Sequence, residues 1–122
     1  MPVRSGIKTV VLDANALLMP FQFKINIDME IRNLLGGVEV IVPSSVIIEL
    51  RRLKDKHAKA ALSLSSKYRI VDVTKRGDAG VIEAAEEHHA AVITNDQELI
   101  EILKKSSIPA IRMRECQRLD FV

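Results

Sequence analysis

Four acidic residues occupy one kind of position in this sequence, directly after a short apolar run or within the first turns of the segment that follows it. The first of these runs is TVVL, a β-branched segment typical of a strand buried on both faces. Because parallel strands bring their carboxyl ends to one edge of a sheet, where ligand crevices lie, we expect the four carboxylates to converge on one cleft. They are Asp13, Glu49, Asp78 and Asp96.

Such a convergence predicts a cation. Two like charges about 4 Å apart repel each other by ~4 kcal/mol at an effective dielectric constant near 20. A set of carboxylate oxygens, with no thiolate cluster and no histidine placed to chelate, favours a hard ion, Mg²⁺ or Mn²⁺. Metals in sites of this kind activate a water molecule and stabilise the leaving oxygen in phosphodiester cleavage.

Each acid also has a purely structural interpretation. Asp78 is an N-cap and Asp96 a first-turn residue in that view, since helix N-terminal amides favour both. Asp13 shapes a turn together with Asn15. Glu49 forms an ion pair with the arginine three residues on, worth a few tenths of a kcal/mol. Taken singly each of these readings is the simpler one, and only the four acids together favour a cation site.

Polar residues beside the acids are candidates for supporting roles. Asn15 and Thr94 are placed to hold a metal-bound water or to orient a carboxylate, and Asn95 to position the neighbouring backbone. For Thr94 the alternative is a β-branched residue that simply ends a strand. Ser44 and Ser45 are interpreted as helix caps and not as nucleophiles, because no histidine is placed to serve as their base.

The elements that position these residues follow from the spacing of apolar side chains. The predicted strands cover residues 9–12, 38–42, 70–73, 91–94 and 110–113, and the predicted helices cover 27–35, 44–53, 57–68, 78–89 and 96–104. Residues 19–26 are predicted as a connecting loop, and 115–122 as an ordered tail or a contact segment. The alternation predicts an α/β fold, a three-layer α/β/α sandwich around a parallel sheet of about five strands. With the strand order 3-2-1-4-5, the crevice lies between the first and fourth strands.

Composition excludes several classes of protein. The chain has 122 residues, 48% hydrophobic and 28% charged, which predicts one folded domain and excludes disorder. No apolar run approaches the roughly 20 residues of a membrane span, and the first residues lack the apolar core of a secretion signal. Cys116 is the only cysteine, which excludes an internal disulfide. We therefore predict a cytoplasmic protein with no membrane partner.

One stretch of the chain is strongly basic. Residues 51–69 contain seven Lys and Arg residues and one acid, a pattern that fits a polyanion partner. The alternative is a solvated helix face, the commoner reason for such a run. With 3% aromatic residues, no stacking platform for bases is visible. The candidate RNA-binding residues are Arg51, Arg52, Lys54 and Lys56.

Four short motifs, in this order, resemble those of the PIN-domain nuclease family: VLDAN, the glutamate of SSVIIELRRL, the aspartate of GDAGVIEAAEE, and ITND. The resemblance covers essentially the whole chain. It implies one PIN-like domain over residues 1–122, a 3-2-1-4-5 sheet, a Mg²⁺ or Mn²⁺ site and endoribonuclease activity. It assigns acidic catalytic and metal-binding roles to Asp13, Glu49, Asp78 and Asp96, with Asn15 and Thr94 as polar support.

The stretch LDANALLMPFQF resembles stand-alone archaeal members of the family related to eukaryotic nucleases that process small-subunit ribosomal RNA. The alternatives are a ribonuclease toxin of a toxin–antitoxin pair and a non-catalytic RNA-binding module. The implied partners are RNA, a second copy in a homodimer, and a ribosome-assembly factor or an antitoxin. A phosphoacceptor receiver domain fits poorly, because Ala14 follows Asp13 where that fold needs a second acid, and Arg112 stands where it needs a lysine.

Overall fold

The structure is a computed structural model that describes residues 6–122. These residues form six strands and six helices. The strands are β1 Thr9–Leu12, β2 Glu39–Pro43, β3 Arg69–Val71, β4 Ala91–Ile93, β5 Ala110–Arg114 and β6 Arg118–Phe121. The helices are α1 Ala14–Phe23, α2 Ile27–Leu35, α3 Ser44–Arg52, α4 Ala58–Ser65, α5 Gly77–His88 and α6 Gln97–Lys105. The six strands form one sheet in the order β3-β2-β1-β4-β5-β6.

The first strand lies in the middle of the sheet. β1 pairs in parallel with β2 on one side and with β4 on the other, and Val10, Val11 and Leu12 are fully buried. A strand buried on both faces needs helices on both faces, and each fully buried aliphatic side chain contributes about 1.5–3 kcal/mol. The predicted three-layer sandwich and the order 3-2-1-4-5 are confirmed. The crevice at the reversal of strand order therefore opens between β1 and β4.

The segment after β1 differs from the prediction. The expected loop over residues 19–26 is wrong for residues 19–23, because α1 continues to Phe23 with Pro20 inside it. A proline in a helix interior costs about 3 kcal/mol or more. Complete burial of Leu17 and Met19 and the cap at the start of the helix offset that cost. The helix ends at Lys24, which has a φ of 56°.

The carboxyl-terminal segment is part of the sheet. The chain turns at Glu115 and Cys116, both at positive φ, and returns as β6, antiparallel to β5. The backbone N–H of Leu119 donates to the Glu30 carboxylate on α2, 3.4 Å away. The segment predicted as a tail over residues 115–122 thus contains an antiparallel edge strand, Arg118–Phe121, that periodicity did not predict, because four residues of mixed polarity carry too little pattern.

Other boundaries agree with the predictions to within a few residues. Gly36, at a φ of 81°, ends α2 as expected, and its N–H donates to the carbonyl of Arg32.

Phe21, left without a role by the sequence, stacks on the ring of His57 at 6.3 Å between centroids. Residues 1–5 of the predicted domain lie outside the described residues. Within residues 6–122, no helix has the length and apolar character needed to cross a membrane.

Candidate active site

Asp13 is the most buried of the four predicted acids, with 7% of its surface exposed. It caps α1, and its Oδ1 accepts the N–H of Ala16 at 2.8 Å. The pKa of its carboxyl is raised to about 7, chiefly by burial and to a smaller extent by the charges of Glu49 and Asp78, while hydrogen bonds from the Thr94 hydroxyl and the Ala16 N–H act in the opposite direction. The turn interpretation of Asp13 is therefore partly right, since the residue is a cap, but it is a cap placed next to other acids.

The other three acids act on one another electrostatically. Partial desolvation raises the pKa of Glu49, on α3, and the charges of Asp78 and Asp96 add to this rise. Partial desolvation also raises the pKa of Asp78, on α5, and the charges of Asp96 and Glu98 add to it. Repulsion between carboxylates destabilises their charged forms, so the smaller, coulombic part of each shift reports neighbouring negative charge.

All four acids line one cavity of about 260 Å³ at the carboxyl edge of the sheet. Asp13 follows β1, Glu49 is on the helix after β2, Asp78 is on the helix after β3, and Asp96 follows β4. The structure brings together the carboxylates that the sequence predicted to converge. The chain reaches this point by four separate crossovers, so no short segment could form the cavity alone.

Asp55 also lines this cavity, although the sequence did not single it out. It lies between α3 and α4, and its Oδ1 accepts the N–H of His57 at 2.7 Å. In the sequence it is one acid among many bases, and no apolar periodicity places it at the sheet edge. The conformation of the connection between the two helices decides its position.

Asn15, Thr94 and Asn95 hold the loop that carries Asp96. Asn15 Oδ1 accepts the N–H of Asn95 at 3.0 Å, and Asn95 Oδ1 accepts the N–H of Met113 at 2.8 Å. Thr94 is fully buried, and its Oγ1 accepts the N–H of Asp96 at 3.0 Å. Since the Thr94 hydroxyl also hydrogen-bonds to the Asp13 carboxylate, it links the two acids. Thr94 therefore does more than end a strand.

Several predicted helix caps are wrong. The N-cap of α5 is Arg76, without a side-chain hydrogen bond, so Asp78 is not a cap. Asp96 is the N-cap of α6, and its Oδ1 accepts the N–H groups of Glu98 and Leu99 at 3.0 and 3.4 Å. Neither serine caps α3: Ser44 Oγ accepts the N–H of Val73 at 3.1 Å, and Ser45 is buried. A role as a helix cap thus accounts for Asp13 and Asp96 but not for Glu49 or Asp78.

The predicted RNA-binding residues separate onto different surfaces. Arg52 lines a second cavity, of about 560 Å³, which shares Glu49, Leu53 and Asp78 with the acidic one. Arg51 faces a groove between α3 and α4 instead. Lys54 and Lys56 are exposed in the connection that follows α3. The expected ion pair between Glu49 and Arg52 does not form among the described residues.

The donor set fits a hard cation that keeps part of its water shell. Among residues 6–122, no three His, Cys, Asp or Glu side chains already stand together as a complete metal site. Mg²⁺ is commonly bound by one or two carboxylates, with water and substrate phosphate filling its other positions. A buried carboxylate with a raised pKa, facing other acids, gains from a cation that neutralises it. The acidic cavity meets these requirements without a preformed cage.

The fold and the acidic cavity define a class of protein. The model of the family described as "PIN like domain" matches residues 10–116, and the chain belongs to this family. Ribonuclease VapC9 of Archaeoglobus fulgidus is 31% identical over 120 residues, which cover 93% of this chain and 88% of that protein. Ribonuclease VapC4 of Methanocaldococcus jannaschii is 34% identical over 118 residues, covering 87% and 90%.

A solved structure, that of the PIN domain endonuclease Utp24, has the same fold. It matches with a TM-score of 0.80 at 21% identity, over 93% of this chain and 90% of that one. At this identity the likeness shows the architecture alone. It agrees with the strand order and crossovers described above.

Proposed function

We propose that this protein is a metal-dependent endoribonuclease that hydrolyses phosphodiester bonds of RNA at the acidic cavity. The observation that carries the proposal is the convergence of four carboxylates from four separate segments on one cavity of about 260 Å³. The relatives named ribonuclease, at 31% and 34% identity, support RNA as the substrate. Their names say nothing of the metal, which is proposed from the chemistry of the donor set.

In this proposal Asp13 and Asp96 hold the principal cation, Mg²⁺ or Mn²⁺. Asp96 Oδ1 accepts two helix N–H groups, while no other described residue donates to its Oδ2, which is free to bind a cation. A bound divalent ion supplies charge neutralisation and lowers the pKa of a nearby water. Because α1 and α6 each begin at one of these acids, the two carboxylates are held in place by backbone amides.

Glu49 and Asp78 complete the site and orient the attacking water. Both carboxylates line the cavity beside Asp13 and Asp96, where they could accept a proton from a water bound there. The water oxygen forms a bond to phosphorus and one of its protons passes to one of these carboxylates. The bond from phosphorus to the ribose oxygen breaks, and that oxygen keeps the bonding electrons and takes up a proton from solvent. Arg51, Arg52, Lys54 and Lys56 would contact the RNA backbone around the cavity.

The test is cleavage of a labelled RNA by purified protein with and without divalent cations. We expect cleavage with Mg²⁺ or Mn²⁺, none in excess chelator, and loss of activity by at least about 100-fold in Asp96→Asn. Glu87→Gln removes an exposed carboxylate near the far end of α5 and serves as the matched control. Cleavage undiminished in chelator would refute the metal mechanism, and binding of RNA without any turnover would favour the non-catalytic module.

Two cellular roles follow from the sequence resemblance, and they predict different assays. Processing of small-subunit ribosomal RNA predicts defined cuts in a ribosomal RNA precursor. The toxin of a toxin–antitoxin pair is the second candidate, favoured because both relatives carry VapC names at higher identity than the Utp24 structure. It predicts that expression arrests growth and that Asp96→Asn relieves the arrest. Homodimerisation and a ribosome-assembly or antitoxin partner stay predictions.

A further inference from the structure

A second cavity, of about 560 Å³, opens beside the acidic one, between α3 and the start of α5. Glu49, Leu53 and Asp78 line both, so the two cavities adjoin. The second one differs in charge, because Arg52 and Arg76 also line it and balance the charges of Glu49 and Asp78. The acid-lined volume thus continues into a volume with two basic residues on its walls.

Both arginines are exposed and available to a ligand. Neither forms an ion pair with another residue in the described part of the chain, although four other Lys or Arg side chains there do. Arg52 comes from the last turn of α3, and Arg76 immediately precedes α5. Two arginines on separate segments that line one cavity are suited to bidentate binding of phosphate oxygens.

The start of α5 adds donors to the same wall. Gly77, which lines the cavity, begins this 12-residue helix at a φ of 58°, a conformation that favours glycine. No side chain caps the helix, so its first amides have no side-chain acceptor. An anion at this position would satisfy them and would also gain from the helix dipole.

An unpartnered buried hydroxyl lies at the inner wall. Ser45 lines the cavity, has 6% of its surface exposed, and its Oγ has no hydrogen-bond partner among the described residues. A Cβ on Gly80 would come within 2.4 Å of this oxygen, so the glycine is what gives the hydroxyl its space. Buried polar groups are rarely left unpaired, and this one is an unused hydrogen-bonding group in the wall between α3 and α5.

We propose that this cavity binds the RNA nucleotide next to the bond cleaved in the acidic cavity, with Arg52, Arg76 and the α5 amides holding its phosphate. The inference rests on the proposed function, which supplies the neighbouring scissile phosphate. Ile48 and Leu53, 42% and 38% exposed, provide the apolar surface on which the ribose or base packs. An acidic peptide would also pair with the arginines. The acids that line both cavities, Glu49 and Asp78, favour RNA instead, because in the proposed function its phosphates lie beside the bound cation.

The experiment measures binding of a fluorescent 12-nucleotide RNA by anisotropy in chelator, where no metal-dependent cleavage takes place. Arg52→Gln and Arg76→Gln keep most of each side chain and remove its charge. We expect each to raise Kd by about tenfold, and to make the slope of log Kd against log salt shallower by about 0.7. Arg112→Gln removes an exposed charge on β5, away from both cavities, and should change Kd by less than about twofold.

Two results would overturn the inference. Binding by Arg52→Gln and Arg76→Gln within about twofold of wild type would show that RNA does not use the cavity, leaving it to a protein partner. An equal loss in Arg112→Gln would show an effect of net charge alone. Cleavage by the wild type with Mn²⁺ is measured separately. A protein that binds RNA through these arginines but does not cleave it would refute the proposed function, while the proposed binding site would stand.

Discussion

The raised pKa of Asp13 predicts an unusual pH dependence of stability in the metal-free protein. The carboxyl titrates near its ordinary pKa of 3.8 when unfolded and at about 7 when folded. Between these values the folded state binds more protons than the unfolded state, so the free energy of unfolding falls as pH rises from about 4 to about 7. The full difference corresponds to about 4 kcal/mol, an upper limit for this one group.

Asp13→Asn isolates this effect. Asparagine caps a helix as well as aspartate does and can still accept the N–H of Ala16, but it carries no charge. At pH 8 in chelator we expect the variant to be more stable than wild type, by up to about 4 kcal/mol. At pH 5 the folded carboxyl of wild-type Asp13 is mostly protonated but the unfolded one, with a pKa near 3.8, is mostly ionised, so the difference should shrink to about 1.6 kcal/mol.

Urea unfolding at pH 5, 6, 7 and 8, followed by circular dichroism, measures these free energies. Glu87→Gln, which removes an exposed carboxylate from α5, should stay within about 0.5 kcal/mol of wild type at every pH. The reasoning fails if Asp13→Asn stays within about 0.5 kcal/mol of wild type at all four pH values. Because asparagine and aspartate cap equally well, that result would identify Asp13 as an ordinary cap with an unshifted pKa.

Three further changes test other parts of the structure. Mn²⁺ at 100 times its Kd should stabilise the wild type by about 2.7 kcal/mol, seen as a higher Tm, and should leave the Tm of Asp96→Asn nearly unchanged. Gly80→Ala places a Cβ 2.4 Å from Ser45 Oγ and should destabilise the fold by about 1–3 kcal/mol in urea unfolding; an unchanged midpoint would show that α3 and α5 separate freely. Tyr68→Phe removes the hydroxyl that donates to Asp28 at 2.6 Å and should cost about 1 kcal/mol, and no loss would mean that water replaces this bond.

The sequence predicted the convergence of the acids because the rule involved is topological. A buried parallel strand must deliver its carboxyl end to a shared edge, whatever the details of packing. To predict the positions of Asp13 and Asp96, only the ends of two strands had to be located. For Glu49 and Asp78, only the helices that follow two further strands had to be located, so the sequence was enough to place all four acids.

Residues outside that rule were missed. Asp55 and Arg76 line the two cavities from irregular segments, one between α3 and α4 and one before α5. Loop conformation depends on packing against the rest of the molecule, and apolar periodicity carries no information about it. The expected caps at Ser44 and Asp78 failed for a related reason, because the actual start of each helix is set by its docking on the sheet.

By itself, the sequence determined the α/β class and the four acids at one edge, because apolar periodicity and the direction of parallel strands are enough to predict both. The strand order was predicted only through the resemblance to the PIN-domain family. The tertiary structure decided the rest. Burial of Leu17 and Met19 kept α1 helical through Pro20, pairing with β5 made β6 a strand, and burial beside other carboxylates gave Asp13 its raised pKa. Each of these outcomes depends on groups far apart in the chain, whose contacts and charges exist only once the chain has folded.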